Sequence, residues 1–162
     1  GVNIEGPVSA LVPDSSKYQC SNCNGVKFSV SKTLDDFNDV VQATVEAALD
    51  ITAAGAPILG EVALCLQCGN EQILWWMILD TVVATGAALV MTNLDAGTAN
   101  TLAGYYAIPT TGTLFAATKY DTIASHTAAA PTTLTLDTGS DNSEDGIWVI
   151  TNRLPTGWTL AS

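Results

Sequence analysis

The four cysteines of this chain fall into two Cys-x-x-Cys pairs, Cys20-Ser21-Asn22-Cys23-Asn24-Gly25 and Cys65-Leu66-Gln67-Cys68-Gly69-Asn70. A two-residue spacer lets one tight turn present two sulfurs, and two such turns supply the four ligands that a tetrahedral ion takes at about 2.3 Å from sulfur. If the pairs meet, residues 24–64 form a loop with joined ends, and any fold must accommodate that closure. A small residue after each second cysteine lets backbone N–H groups turn toward the sulfurs. Asn24-Gly25 and Gly69-Asn70 fill that place, where glycine tolerates a positive φ.

The segments YQCSNCNG and LCLQCGN resemble the knuckles of zinc ribbons. The resemblance implies that Cys20, Cys23, Cys65 and Cys68 ligate one structural Zn2+. It covers these two segments only. The intervening residues 24–64 exceed the usual gap of about 15–20 residues, so the knuckles are expected to pin the ends of a strand-helix-strand insert. Two other fates of the thiols stay open. Disulfides, within each pair or between pairs, would suit an extracellular setting. Redox dithiols would call for a βαβ context that neither pair shows. A closed site of four thiolates has no open coordination position and is structural rather than catalytic.

Within the insert, VKFSV at residues 26–30 alternates as a strand does. Thr33 then stands as a helix cap, with Asp35 and Asp36 in the first turn, where the helix dipole favours anions. Leu34, Phe37, Val41, Val45 and Leu49 repeat at spacings of three and four. They give one apolar stripe for packing on a sheet, and Gly55 and Pro57 end the region. Residues 61–66, 73–79, 114–117, 132–136 and 147–151 read as strands separated by turn signals at Asn93, Asp95-Ala96-Gly97, Gly104, Pro109 and Thr111-Gly112. Trp75-Trp76 puts one indole on each face, so both faces are expected to be covered. The fold expected is mostly β with α+β character: an antiparallel sandwich or barrel with one amphipathic helix near residues 33–50. Residues 1–19, punctuated by Pro7 and Pro13, read as an irregular N-terminal arm, with 20–162 as a single β-rich domain.

Five Lys+Arg against sixteen Asp+Glu leave a net charge of -11. Nucleic acid and anionic membrane surfaces need clustered cations, which this chain lacks. With 48% of residues hydrophobic, disorder is not expected. Ile73 to Met91 has nearly the length of a membrane span. Asp80 near its middle and the Thr85-Gly86 turn point instead to two buried strands. Gly1 opens the stretch without a basic n-region or an apolar h-region, so no secretory leader is expected within it, a leader removed beforehand staying open, and Glu5 stands where a myristoylation signal wants Ser or Thr.

Three motifs suggest chemistry. Leu136-Asp137-Thr138-Gly139-Ser140 resembles the aspartic-protease signature, but that reaction needs a second carboxylate and no second such motif stands upstream. Asp141-Asn142-Ser143-Glu144-Asp145-Gly146-Ile147 resembles the start of a calcium loop, yet Asn152 stands where the bidentate Glu belongs, so a solvated turn is favoured over a Ca2+ site. His126, the one histidine, lies in a loop-like stretch without a nucleophile elbow. Trp148, Trp158 and Tyr105-Tyr106 are candidate exposed anchors for a glycan or protein partner.

The composition resembles that of phage virion structural proteins. The function expected is that of a non-enzymatic structural subunit of a larger assembly: a capsid decoration, tail or fibre protein. Its partners would be copies of itself and other assembly subunits, as a homo-oligomer, and its N-terminal arm could add a strand to a neighbour. Its place would be the virion or the extracellular space, with cytoplasmic assembly. The alternative is an extracellular binding β-module with disulfides in place of zinc.

Overall fold

The computed structural model of the chain describes residues 6–13, 18–30, 39–53, 56–138 and 144–161. Its centre is a 15-residue strand, β4 (Glu71–Thr85). Before β4 come β1 (Phe28–Val30), helix α1 (Asp39–Leu49), β2 (Ile51–Ala53) and β3 (Ile58–Cys65). After it come β5 (Ala88–Met91), β6 (Leu94–Ala96), β7 (Tyr106–Pro109), helix α2 (Gly112–Ala116), β8 (Lys119–His126), β9 (Thr133–Leu136), β10 (Gly146–Thr151) and β11 (Thr159–Leu160). Strands β4, β10, β7, β8, β9 and β5 pair antiparallel in that order, and β5 pairs back onto β4, closing a six-stranded barrel. The barrel leaves no free edge among these strands, which removes a common route to edge-to-edge aggregation. β3 and β1 extend the sheet beyond β4, β11 lies parallel to β8, and β2 pairs with β6.

β4 shows why one segment reads apolar throughout and then alternates. Residues 74–78 are all buried, while 80–85 alternate buried and exposed. Trp76 and Ile78 join the main core with Leu89, Met91, Ile123, Leu134, Trp148 and Ile150. Trp75 and Met77 face a second core with Leu11, Leu59, Ile108 and Val149. The two indoles therefore take opposite faces, and both faces are covered. Leu74 shares Trp75's face because the pairing steps from Glu61↔Trp75 to Val62↔Ile73 and leaves Leu74 as the extra residue of a bulge. Beyond residue 80 only the barrel interior needs filling, so the outer positions become Thr81, Val83 and Thr85.

Residues 73–91 thus form a hairpin through Gly86, at φ 59. No helix among the described residues is long and apolar enough to cross a membrane.

Helix α1 lays Val41 and Val45 on the sheet. Gly60 is where it comes closest: a Cβ there would stand 2.4 Å from the Trp75 carbonyl oxygen and 3.0 Å from Val41 Cγ1. The first obstacle is backbone and cannot swing away. Gly60→Ala is expected to lower stability by about 2–3 kcal/mol through this overpacking, read as a shift in the denaturant midpoint with an unchanged m-value.

Three expectations change. The stretch 114–117 is not a strand; Leu114 belongs to α2, which starts at Gly112 with φ 86. Its short apolar run carries no period that separates strand from helix. Residues 6–11, expected as irregular arm, form a 3-10 helix whose Leu11 is buried in the second core, because the outer face of β3 and β4 needs a cover. The helix expected near 33–50 is present over Asp39–Leu49, where Asp50 at φ 50 stops it rather than Gly55 or Pro57. Thr33, Leu34, Asp35, Asp36, Phe37 and Gly55 lie outside the described residues.

Candidate metal centre

The first knuckle leads into β1 and the second is the turn between β3 and β4. Because β1 pairs with β3 (Phe28↔Cys65, Ser29↔Leu64), the two knuckles arrive side by side. Their backbones repeat one another. Cys20 N–H donates to the Gly25 carbonyl at 2.8 Å, as Cys65 N–H does to Asn70 at 2.9 Å; Asn24 N–H donates to the Cys20 carbonyl at 2.9 Å, as Gly69 N–H does to Cys65 at 2.9 Å. The positive φ falls on the fifth residue of each knuckle, Asn24 (61°) and Gly69 (78°). Gly25 is needed for room instead: a Cβ there would lie 3.0 Å from Gln67 Oε1 and 3.2 Å from Cys23 Sγ.

The four sulfurs of Cys20, Cys23, Cys65 and Cys68 all lie within 4.8 Å of one another. Cys20 and Cys68 are 3.6 Å apart, and so are Cys23 and Cys65. Four ligands at about 2.3 Å from a tetrahedral centre stand about 3.8 Å from each other, so the cage has the dimensions for one metal ion. A disulfide needs about 2.05 Å, and all four cysteines are free. The cluster is consistent with a zinc-ribbon-like site and could bind a metal. Among the described residues no other group of three or more His, Cys, Asp or Glu is so placed.

Donors surround the sulfurs. Asn22 N–H points to Cys20 at 3.4 Å, Gly25 N–H to Cys23 at 3.4 Å, and Asn22 Nδ2 to Cys68 at 3.5 Å. Burial pushes the Cys20 thiol up, but the Cys23 and Asn22 N–H groups, the Gln72 amide and Cys68 outweigh it and bring it down to about 6. Cys68 is lowered too, by the Asn22 side chain and the Asn70 N–H. At Cys23 the Gly25 N–H lowers the thiol, yet burial and the adjoining sulfurs Cys68, Cys65 and Cys20 win, pushing it up to about 12. The cage thus holds negative charge before any cation enters, and resists taking more until one does.

Sequence reading missed Asn22 and Gln72. Asn22 occupies a spacer position that any polar residue can fill. Gln72 reaches the first knuckle only because β4 runs back past it, and its Oε1 accepts the Ser21 N–H at 3.1 Å.

The other candidates do not gather into a site. His126 is buried at the end of β8, not in a loop; Leu102 N–H donates to its Nε2 at 3.0 Å and its Nδ1 donates to the Thr127 carbonyl at 2.9 Å. Asp137 accepts the Thr122 hydroxyl, while the buried Asp121 accepts that of Thr138 at 2.5 Å; Gly139 and Ser140 lie outside the described residues. Of the calcium-like loop, Asp141, Asn142 and Ser143 also lie outside them. Glu144 accepts from Thr113 N–H, Asp145 from Ala84 N–H, and Asn152 from Trp76 N–H, so the described members turn to separate backbone donors. Trp148 is buried, with its indole N–H on the Glu144 carbonyl at 2.7 Å, and is no exposed anchor. Trp158, Tyr105 and Tyr106 are half-buried against Phe115, Trp76 and Tyr120. Neither a protein-family model, nor a curated protein, nor a solved structure matches this chain.

Proposed function

We propose that the chain is a non-enzymatic structural subunit, held together at one end by a single Zn2+ on Cys20, Cys23, Cys65 and Cys68, and built into an assembly with its own copies and other subunits. The closed cage of four sulfurs carries this reading. Soft thiolates in tetrahedral array favour zinc among common divalent ions, and four protein ligands leave no position for a substrate. The ion in such a site serves folding. The buried His126, the separate engagements of Asp121 and Asp137, and the buried Trp148 all support a role outside catalysis.

For the assembly, the support is compositional and topographic. The resemblance to phage virion structural proteins suggests a virion setting. Val83, Val90 and Ile147 stand 55%, 36% and 46% exposed on adjoining strands of the barrel wall, apolar side chains grouped on a chain of net charge -11. Such patches are where like-charged copies can approach. Native mass spectrometry tests both parts. One Zn2+ per chain and a concentration-dependent oligomer are expected. A metal-free mass with hydrogens lost to disulfides overturns the zinc reading, and a strict monomer at high concentration overturns the assembly reading.

Metal affinity should fall in acid, because the entering ion displaces protons. The Cys23 thiol, at about 12, is protonated in the free site at neutral pH, whereas the Cys20 thiol, at about 6, is not. From about pH 8 down to pH 6 the affinity is expected to fall at least about tenfold per unit. Below about 6 Cys20 gains a proton as well and the slope steepens. Competition against a chromophoric chelator across this range measures it; a flat profile contradicts the expectation.

A further inference from the structure

Each sulfur of the cage has its 3.6 Å neighbour on the opposite knuckle: Cys20 with Cys68, and Cys23 with Cys65. The two pairs share another property. Cys68 is exposed and Cys23 half-buried, while their neighbours Cys20 and Cys65 are buried. Each pair therefore joins a cysteine open to solvent, wholly or in part, to a buried one. Accessible thiolates beside a resolving thiol are the arrangement in which oxidation stops at a disulfide.

We infer that the centre is a peroxide-sensitive staple, in which hydrogen peroxide converts the metal-bound thiolates into two cross-knuckle disulfides, Cys20–Cys68 and Cys23–Cys65, and sets the ion free. The exposed Cys68 sulfur attacks the peroxide O–O bond, becoming a sulfenic acid and releasing water after proton uptake. The Cys20 thiol then attacks that sulfur, forming the S–S bond and expelling the oxygen as a second water. Cys23 and Cys65 repeat the sequence. Two peroxides are reduced and four thiolates oxidised. With four protons taken up, the products are two disulfides, four waters and the free divalent ion. The knuckles stay joined in either state, because both disulfides cross between them; disulfides within each Cys-x-x-Cys would let them part. The inference rests on the zinc reading only for the ion released.

Trypsin tests the pairing directly. Cleavage after Lys17, Lys27, Lys32 and Lys119 puts Cys20 and Cys23 on residues 18–27, and Cys65 and Cys68 on residues 33–119. The full chain, zinc-loaded and chelator-stripped in parallel, is treated with hydrogen peroxide, alkylated, digested without reductant and weighed. Expected in both arms is a covalently linked pair of these peptides, with fragmentation placing the bonds at Cys20–Cys68 and Cys23–Cys65. In the loaded arm a chromophoric chelator should record the loss of one Zn2+ per chain. Separate peptides with internal disulfides, the links Cys20–Cys65 and Cys23–Cys68, or sulfinic and sulfonic acids without links each overturn the inference. Absence of zinc from the untreated chain overturns the zinc reading alone, and the stripped arm still decides the pairing.

Discussion

Stripping the metal from the chain is expected to lower its stability by about 4 kcal/mol, the linkage value for a ligand present at roughly a thousand times its dissociation constant, and to loosen one end while the barrel persists. β1 has three residues, all paired to β3 alone. Besides the sulfurs and the β1–β3 ladder, the knuckles are tied by the Leu66 N–H on the Lys27 carbonyl at 3.0 Å, the Ser21 N–H on Gln72 at 3.1 Å and Asn22 on Cys68. Without a cation, sulfurs within 4.8 Å of one another repel as they ionise. The barrel, by contrast, has its own core of Ile78, Leu89, Met91, Ile123, Leu134, Trp148 and Ile150. Hydrogen exchange should therefore accelerate in residues 28–30, 62–65 and 71–74 and stay slow in β7–β10. Cys65→Ser should reproduce the pattern. Uniform acceleration through the barrel, or no change at the knuckles, counts against a local structural metal.

Asp80→Ala is expected to lower stability by about 3 kcal/mol, from three backbone N–H groups losing a charged acceptor at about 1 kcal/mol or more each. On one edge of β4 the partner changes along its length: β3 pairs up to Ile78, and β5 begins at Val82. Between them the edge is only partly paired, by the Leu79 N–H on the Pro57 carbonyl and the Thr92 N–H on the Thr81 carbonyl, both at 3.0 Å. The buried Asp80 carboxylate closes it, accepting N–H groups from Thr81 at 2.8 Å, Asn93 at 2.9 Å and Leu94 at 3.0 Å, with Asn93 Nδ2 at 3.0 Å. Such charge-assisted bonds are stronger than neutral ones. A melting temperature lower by about 6–12 °C is the corresponding signal for a chain of this size. A loss under about 1 kcal/mol would mean that water replaces the carboxylate at the gap.

The local chemistry was legible where a residue type admits few uses. Two Cys-x-x-Cys units with small residues behind them implied knuckles, and both formed. Trp75-Trp76 implied a strand covered on both faces, and each indole entered a different core. Asp80 argued against a membrane span, but nothing in its neighbourhood shows that it closes a gap, since its partners Asn93 and Leu94 come from beyond a hairpin. β7 and β8 do not read as strands in the sequence because YAIP and KYDTIASH lack strict alternation. His126 reads as a loop residue in the sequence because the partners that hold it, Leu102 and Thr127, are set by the fold.

Sequence alone determined the thiol pairs, the apolar stripe of α1 and the doubly apolar centre of β4, since these depend on spacings within a few residues. Tertiary structure decided the rest. The barrel closes because β5 pairs with β4 on one side and β9 on the other. The knuckles meet because β1 returns to β3. Leu114 went into a helix, and the N-terminal segment onto the second core. Each of these turns on which distant backbone groups and apolar faces are left to satisfy, a quantity that exists only once the chain is folded.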